Sequence, residues 1–299
     1  MAKYNKKRKG SGKSRAERKA EVLKTLAAGI AEVYSSDRWA QYLGLQAKFH
    51  SYSFNNTMLI LSQCPHAGRV AGFNQWRELD RHVKKGESAI WIFAPAYYKD
   101  TEIDKETGAE KETKRLYFIT VPVFDVSQTE GQDLASPVGK LTGDDAGLVA
   151  SLAAFAGGRG IPVKFQDVPG EANGYCTLAK AGPEVYVQDG MAPAMTAKTL
   201  AHEIAHALMH TGKDESRAGL STADLELEAE SVAYVVLQHF GIDSGDYSFG
   251  YIASWRFEHK DADKALAELG SRIQKTAADI IDGINAGAGT EQVPVRLAA

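Results

Sequence analysis

The stretch Thr199-Leu200-Ala201-His202-Glu203-Ile204-Ala205-His206-Ala207-Leu208-Met209-His210 decides how this chain is read. It contains neither Pro nor Gly, so its composition predicts a helix. On a helix, His202 and His206 stand one turn apart on the same face. Two imidazoles so placed can grip one Zn²⁺, and the intervening Glu203 then lies beside the metal, where it can act on a bound water. Leu200, Ile204, Ala205 and Leu208 bury the opposite face. The competing reading is a surface helix with two solvated histidines. By composition alone such a pentapeptide arises in on the order of one chain in a hundred of this length.

A catalytic zinc takes three protein ligands and a water, so a third donor must come from elsewhere, most often a following helix. Leu225-Glu226-Leu227-Glu228-Ala229-Glu230-Ser231-Val232-Ala233-Tyr234 offers three glutamates. Glu226 and Glu230 share a helix face and Glu228 points away. Glu226 falls on the flank of the apolar stripe formed by Ala229, Val232, Ala233 and Val236, and is taken as the ligand. Glu230 is then the acceptor for a ligating imidazole N–H. Spacing alone allows the two roles to be exchanged, and Glu228 reads as solvated. Tyr234, Tyr247 and His210 are the candidates for stabilising an oxyanion, each also readable as packing or surface. A His₂Glu set accepts Zn²⁺ and also Mn²⁺.

Working outward, the chain reads as α+β with two domains. Helices are expected over about 15–34, after Ser36-Asp37, over about 55–63 and over about 75–82. Ala89–Ala94 and Leu116–Val126 read as strands of a long hairpin whose charged tip covers 99–115. Gly, Ser, Thr and Pro enrich 127–143, which marks a boundary. A helix over about 144–156 and strands at 163–168, 174–178 and 184–188 follow. The site helix spans about 193–211, and helices near 223–240, 247–256 and 261–285 close the chain. The expected division is a disordered basic arm (1–15), a helical/β-hairpin domain (16–130), a linker (131–143) and a metallopeptidase-type domain (144–299). That second order of elements suits a zincin-like core.

Composition narrows the setting. The hydrophobic fraction is 44% and the charged fraction 24%, values of a soluble globular protein. Cys64 and Cys176 lack motif spacing, so a reducing compartment and cytoplasmic location are expected. No apolar run is long enough to span a membrane. The net charge of −3 hides an asymmetry: residues 1–25 carry ten Lys/Arg against Glu17 and Glu21, leaving +8 there and −11 on the remainder. A cationic arm on an acidic body fits a polyanionic partner, or else a solvated tail.

In the first half, Phe73, Trp76, Arg77, Arg81, Lys84 and Lys85 mix rings with cations. Such mixtures suit single-stranded nucleic acid, where rings stack on bases and cations meet phosphates. On spacing alone they equally fit core aromatics among solvated basic residues. Four pieces carry a family resemblance: F-N-N-T-M-L-I-L-S-Q-C-P (54–65), R-V-A-G-F-N-Q-W (69–76), V-K-K-G-E-S-A-I (83–90) and V-F-D-V-S-Q-T (123–129). They resemble the N-terminal single-stranded-DNA-binding domain of ArdC-type antirestriction proteins. Leu79-Asp80-Arg81 stands where that family more often has Leu-Gly-Arg. The second half is similar to the metallopeptidase domain of the same proteins, itself similar to ImmA/IrrE metallopeptidases. There H-E-x-x-H precedes E-x-x-A-x-x-F/V-A, matched by Glu226, Ala229, Val232 and Ala233.

The resemblance covers roughly residues 35–260. It implies a cytoplasmic protein, often carried on plasmids or phages, that binds incoming single-stranded DNA and helps it escape host restriction. Two alternatives remain at this level. One is a regulatory peptidase that cleaves a repressor or other protein. The other is a binding protein whose metal only holds the fold.

Overall fold

The structure is a computed structural model that describes residues 13–103, 110–134, 145–211, 220–242 and 249–287. The basic arm through residue 12, the hairpin tip at 104–109 and most of the expected linker lie outside these, as does Tyr247.

Three helices open the first half: α1 (Arg15–Glu32), α2 (Ser36–Lys48) and α3 (Phe54–Gln63). Each begins on a serine. Ser14 forms a reciprocal capping box with Glu17, while Ser35 and Ser53 accept from the backbone N–H groups of Arg38 and Asn56. Next come β1 (Val70–Ala71), α4 (Phe73–Glu78), β2 (Arg81–Val83), β3 (Ile90–Ile103) and β4 (Glu110–Asp125), then a 3₁₀ turn (Val126–Gln128) and β5 (Thr129–Gly131). The sheet order is β1-β4-β3, all antiparallel, and β2 pairs separately with β5.

The helix expected over 75–82 is earlier and shorter. It stops because Asp80 takes a left-handed backbone, φ 55°, which turns the chain into β2. Glycine takes that conformation without the Cβ penalty that Asp80 bears.

The edge of β3 is covered by side chains. Asn56 donates from Nδ2 to the Phe93 carbonyl and accepts from the Phe93 N–H, both at 2.9 Å. Gln63 does the same for Trp91, at 3.0 and 2.9 Å. Two amide side chains one helical face apart thus pair with alternate residues of the strand, where an open edge would invite another chain.

The second half holds α5 (Asp145–Gly158), β6 (Val163–Gln166), β7 (Gly174–Ala179), β8 (Gly182–Gln188), α6 (Pro193–Met209), α7 (Thr222–His239), α8 (Ile252–Glu258) and α9 (Ala262–Gly287). β8 lies between parallel β6 and antiparallel β7. One hydrophobic core runs through both halves, from Val22 and Leu43 to Ile204, Val232 and Ile280. Trp39, fully buried, donates from Nε1 to Ser231 Oγ on α7 at 3.0 Å. Gly270 on α9 lies so close to Phe54 that a Cβ there would stand 2.1 Å from the ring.

Candidate metal centre and nucleic-acid surface

Pro193 occupies the first turn of α6, where its missing N–H costs nothing. Ala197, Leu200, Ala201, Ile204 and Ala205 are fully buried and fix the rotation of the helix. That rotation turns His202 and His206 toward α7. The structure brings together His202, His206 and Glu226: one donor atom from each lies within 4.8 Å of the others. The two Nε2 atoms are 3.0 Å apart, and the Glu226 carboxylate oxygens approach them at 3.3 and 3.4 Å.

The remaining ring nitrogens settle the tautomers. His202 Nδ1 donates to Glu230 Oε2 at 3.2 Å, and Lys198 Nζ holds the other Glu230 oxygen at 3.2 Å. His206 Nδ1 meets His210 Nδ1 at 2.8 Å, and His210 Nε2 meets Glu228 Oε2 at 3.0 Å. A carboxylate only accepts, so His210 carries its proton on Nε2 and accepts at Nδ1 from His206. Both His202 and His206 then present bare Nε2 lone pairs to each other and to a carboxylate. Such a set repels itself unless a proton or a metal cation lies among its members, and in their neutral forms two imidazoles with one carboxylate are a donor set that fits a divalent metal.

Two assignments are corrected here. Glu228 is not solvated: it is 1% exposed and receives Arg272 Nε from α9 at 2.5 Å as well as His210. A charge taken that far from water needs partners, and here a guanidinium and an imidazole supply them. His210 for its part has both ring nitrogens engaged in this chain of contacts, which leaves neither to stabilise an oxyanion. The only sequence cue was its i+4 spacing from His206. Tyr234 packs edge-on against Phe249.

Glu203 is 7% exposed and lies within electrostatic reach of His202, His206 and Glu226. Burial pushes its carboxyl above the usual range, against the opposing charges of His202 and His206, while the Cys176 backbone N–H bonds to it. Burial, helped by the Glu203 charge, also pushes the Cys176 thiol up to about 11, which keeps it a thiol. For His202, burial works against the proton, but the Glu226 and Glu230 contacts outweigh it and hold the group at about 9, so without a metal a proton occupies the set and a metal would displace it. Glu226 is held well below the carboxylate range by the same two imidazoles. β7 passes close by: a Cβ on Gly174 would meet Thr199 Cγ2 at 2.7 Å and Glu203 Cγ at 3.3 Å.

The six residues expected at nucleic acid divide. Phe73, Arg77, Lys84 and Lys85 are exposed. Trp76 is fully buried and donates from Nε1 to the Phe124 carbonyl at 2.9 Å, so it has no face to offer a base. Arg81 is buried too; its guanidinium is spent on Thr129 Oγ1 at 2.8 Å, the Thr129 carbonyl at 3.1 Å and the Gln132 carbonyl. Both are corrected to structural roles, since stacking or phosphate contact requires exposure. The hairpin adds four exposed rings, Tyr97, Tyr98, Tyr117 and Phe118, to Phe73 on α4, Phe165 on β6 and Phe257 on α8.

The architecture and the convergent His-His-Glu cluster define a two-domain protein, a helical and β-hairpin unit followed by a metallopeptidase-like unit. Residues 13–124 match the family described as the N-terminal domain of anti-restriction factor ArdC, and residues 156–238 match the IrrE N-terminal-like domain of the M78 peptidase type. The chain therefore joins an ArdC-type N-terminal domain to an IrrE-like M78-type domain. A Bacillus anthracis protein described as uncharacterized is 26% identical over 90% of this chain and 51% of its own length, so the chain spans about half of that relative. Metal-free antirestriction ArdC from plasmid R388 is 21% identical with a TM-score of 0.48, covering 81% of this chain and 86% of that one. The Mn(II)-bound structure of the same protein gives 19% and 0.47 over the same shares.

Proposed function

We propose that this chain is an antirestriction protein that binds single-stranded DNA through its first half and carries a metal-dependent hydrolytic site in its second. The observation that carries the reading is the convergence of His202, His206 and Glu226 beside buried Glu203, in the same chain as an ArdC N-terminal domain. His202 and His206 would hold the metal through Nε2 and Glu226 through its carboxylate, with Zn²⁺ or Mn²⁺ compatible with the set. The ion would acidify a water and polarise a carbonyl. The Glu203 carboxylate would take a proton from the attacking water as it adds to the carbonyl and pass it to the amine nitrogen as the C–N bond breaks, a role that its burial-raised proton affinity suits. Glu230 and the His210–Glu228–Arg272 chain hold the two imidazoles in the tautomers that leave Nε2 bare.

The proposed benefit is protection of incoming plasmid or phage DNA from host restriction in the cytoplasm. No helix among the described residues is long and apolar enough to cross a membrane.

A second reading, regulatory cleavage of a repressor or other protein, is favoured by one feature. β7 is an edge strand that runs along Glu203, where an extended peptide could add as a further strand. Glu203→Gln separates the two activities. It is expected to lower hydrolysis of a peptide library by about 10²–10⁴-fold while leaving single-stranded DNA affinity unchanged. Equal hydrolysis by the variant and the unaltered chain would refute the role given to Glu203.

A further inference from the structure

The β3–β4 hairpin runs past the core, and its outward face is unlike an ordinary solvated sheet. Alternate residues share a face, and the register puts Trp91, Tyr97 and Lys99 of β3 on the same one as Phe118, Leu116 and Lys114 of β4. Tyr97 is 64% exposed and Phe118 52%. Just beyond these rings, Lys99 and Lys114 stand directly opposite one another. Like charges in that position destabilise a strand pair. Glu112 meets Lys99 at 3.1 Å and so answers one of the two cations. At the other end of the face, the Arg18 guanidinium lies over the Trp91 ring at 4.3 Å. A groove of about 480 Å³, lined by Arg18, Glu21, Thr25, Gln63, Ser88 and Trp91, opens beside it, and Arg18 also pairs with Glu21 at 3.0 Å. Arg18 belongs to the first turns of α1, the helix that continues the basic arm with Lys3, Lys6, Lys7, Arg8 and Lys9.

We infer that this outward hairpin face, with Tyr97 and Phe118 as stacking platforms between the Arg18–Trp91 end and the Lys99–Lys114 pair, is the surface that takes single-stranded DNA. The inference rests on the single-strand reading above and moves its site from α4 and β2 to the hairpin. Charge and shape select the occupant. An unpaired strand offers base faces to exposed rings and phosphates to opposed lysines, whereas a duplex hides the faces. A purely apolar partner would leave Lys99 and Lys114 opposed. From Trp91 to Lys99 the strand extends about 27 Å, enough to track several nucleotides.

The test is fluorescence anisotropy of a labelled oligo-dT titrated with the full chain. Tyr97→Ala with Phe118→Ala is expected to weaken binding about tenfold or more. Lys114→Gln is expected to flatten the salt dependence by about 0.7 in the log–log slope. Phe73→Ala, on α4, is expected to change nothing. These side chains are exposed, and Lys114→Gln removes no packing, so it reports even if the double variant unfolds. If the unaltered chain binds and both hairpin variants match it, whatever Phe73→Ala does, the hairpin assignment is overturned and the single-strand reading stands. If the unaltered chain binds no DNA, both fall together. Light scattering covers the other occupant: loss of self-association in the hairpin variants with DNA binding intact would give the face to a second copy and overturn the inference.

Discussion

At the scale of single residues, Glu228 shows how a side chain can be placed correctly and read incorrectly. Its helical phase points it away from the metal cluster, as the sequence indicates. What the sequence does not show is that α9 arrives on that side with Arg272, from 44 residues on, so the face is interior. Glu228→Ala would leave a guanidinium and an imidazole without their carboxylate. It is expected to cost about 3–5 kcal/mol in denaturant unfolding and to weaken zinc binding by about 10–100-fold in calorimetric titration. Zinc affinity equal to that of the unaltered chain would show that His206 needs no such support. Asp80 is a second case. Its left-handed backbone is tolerable for Asp but costly for a branched residue, so Asp80→Val is expected to lose about 1–2 kcal/mol in thermal unfolding. The histidine motif was legible because its two partners sit on one helix. Trp76 and Arg81 were not, because burial depends on strands more than 40 residues away.

Among the elements, the motif pieces of the first half turn out to be joints. Asn56 and Gln63 hold the edge of β3, and Asp125 gathers the N–H groups of Gly68 and Arg69 on one oxygen and Ser127 on the other. Asp125 is 1% exposed; burial works against its charge, but these contacts from Ser127, Gly68 and Arg69 win and lower its proton affinity. Its contribution is therefore present above the ordinary carboxylate range and lost as pH falls through the depressed folded value. Asp125→Ala is expected to cost about 2–4 kcal/mol at neutral pH, with the gap to the unaltered chain closing in acid. An undiminished gap at low pH would contradict a role for the charge. Helix positions were readable from apolar spacing, whereas the caps at Ser14, Ser35 and Ser53 emerge only with the structure. The hairpin's length was not, since β3 and β4 continue through charged residues that alternation would assign to a loop.

For the whole molecule, the two halves are continuous in their packing. Trp39 of the first half packs against α7 and Phe54 against α9, so the sequence boundary at 131–143 does not mark a break in the core. Calorimetry is expected to show one cooperative unfolding transition, and two well-separated transitions would contradict a shared core. No local pattern announces such sharing, because both surfaces read as ordinary amphipathic helices. The charge asymmetry, by contrast, was plain in the sequence, and it bears on the central claim that this is a single-strand-binding protein of the ArdC type. The most direct measurement is anisotropy of matched labelled single-stranded and duplex DNA titrated with the full chain at low and moderate salt. The account predicts tighter binding to the single strand, falling steeply as salt rises. Equal affinity for the duplex, or no binding to either, would contradict it.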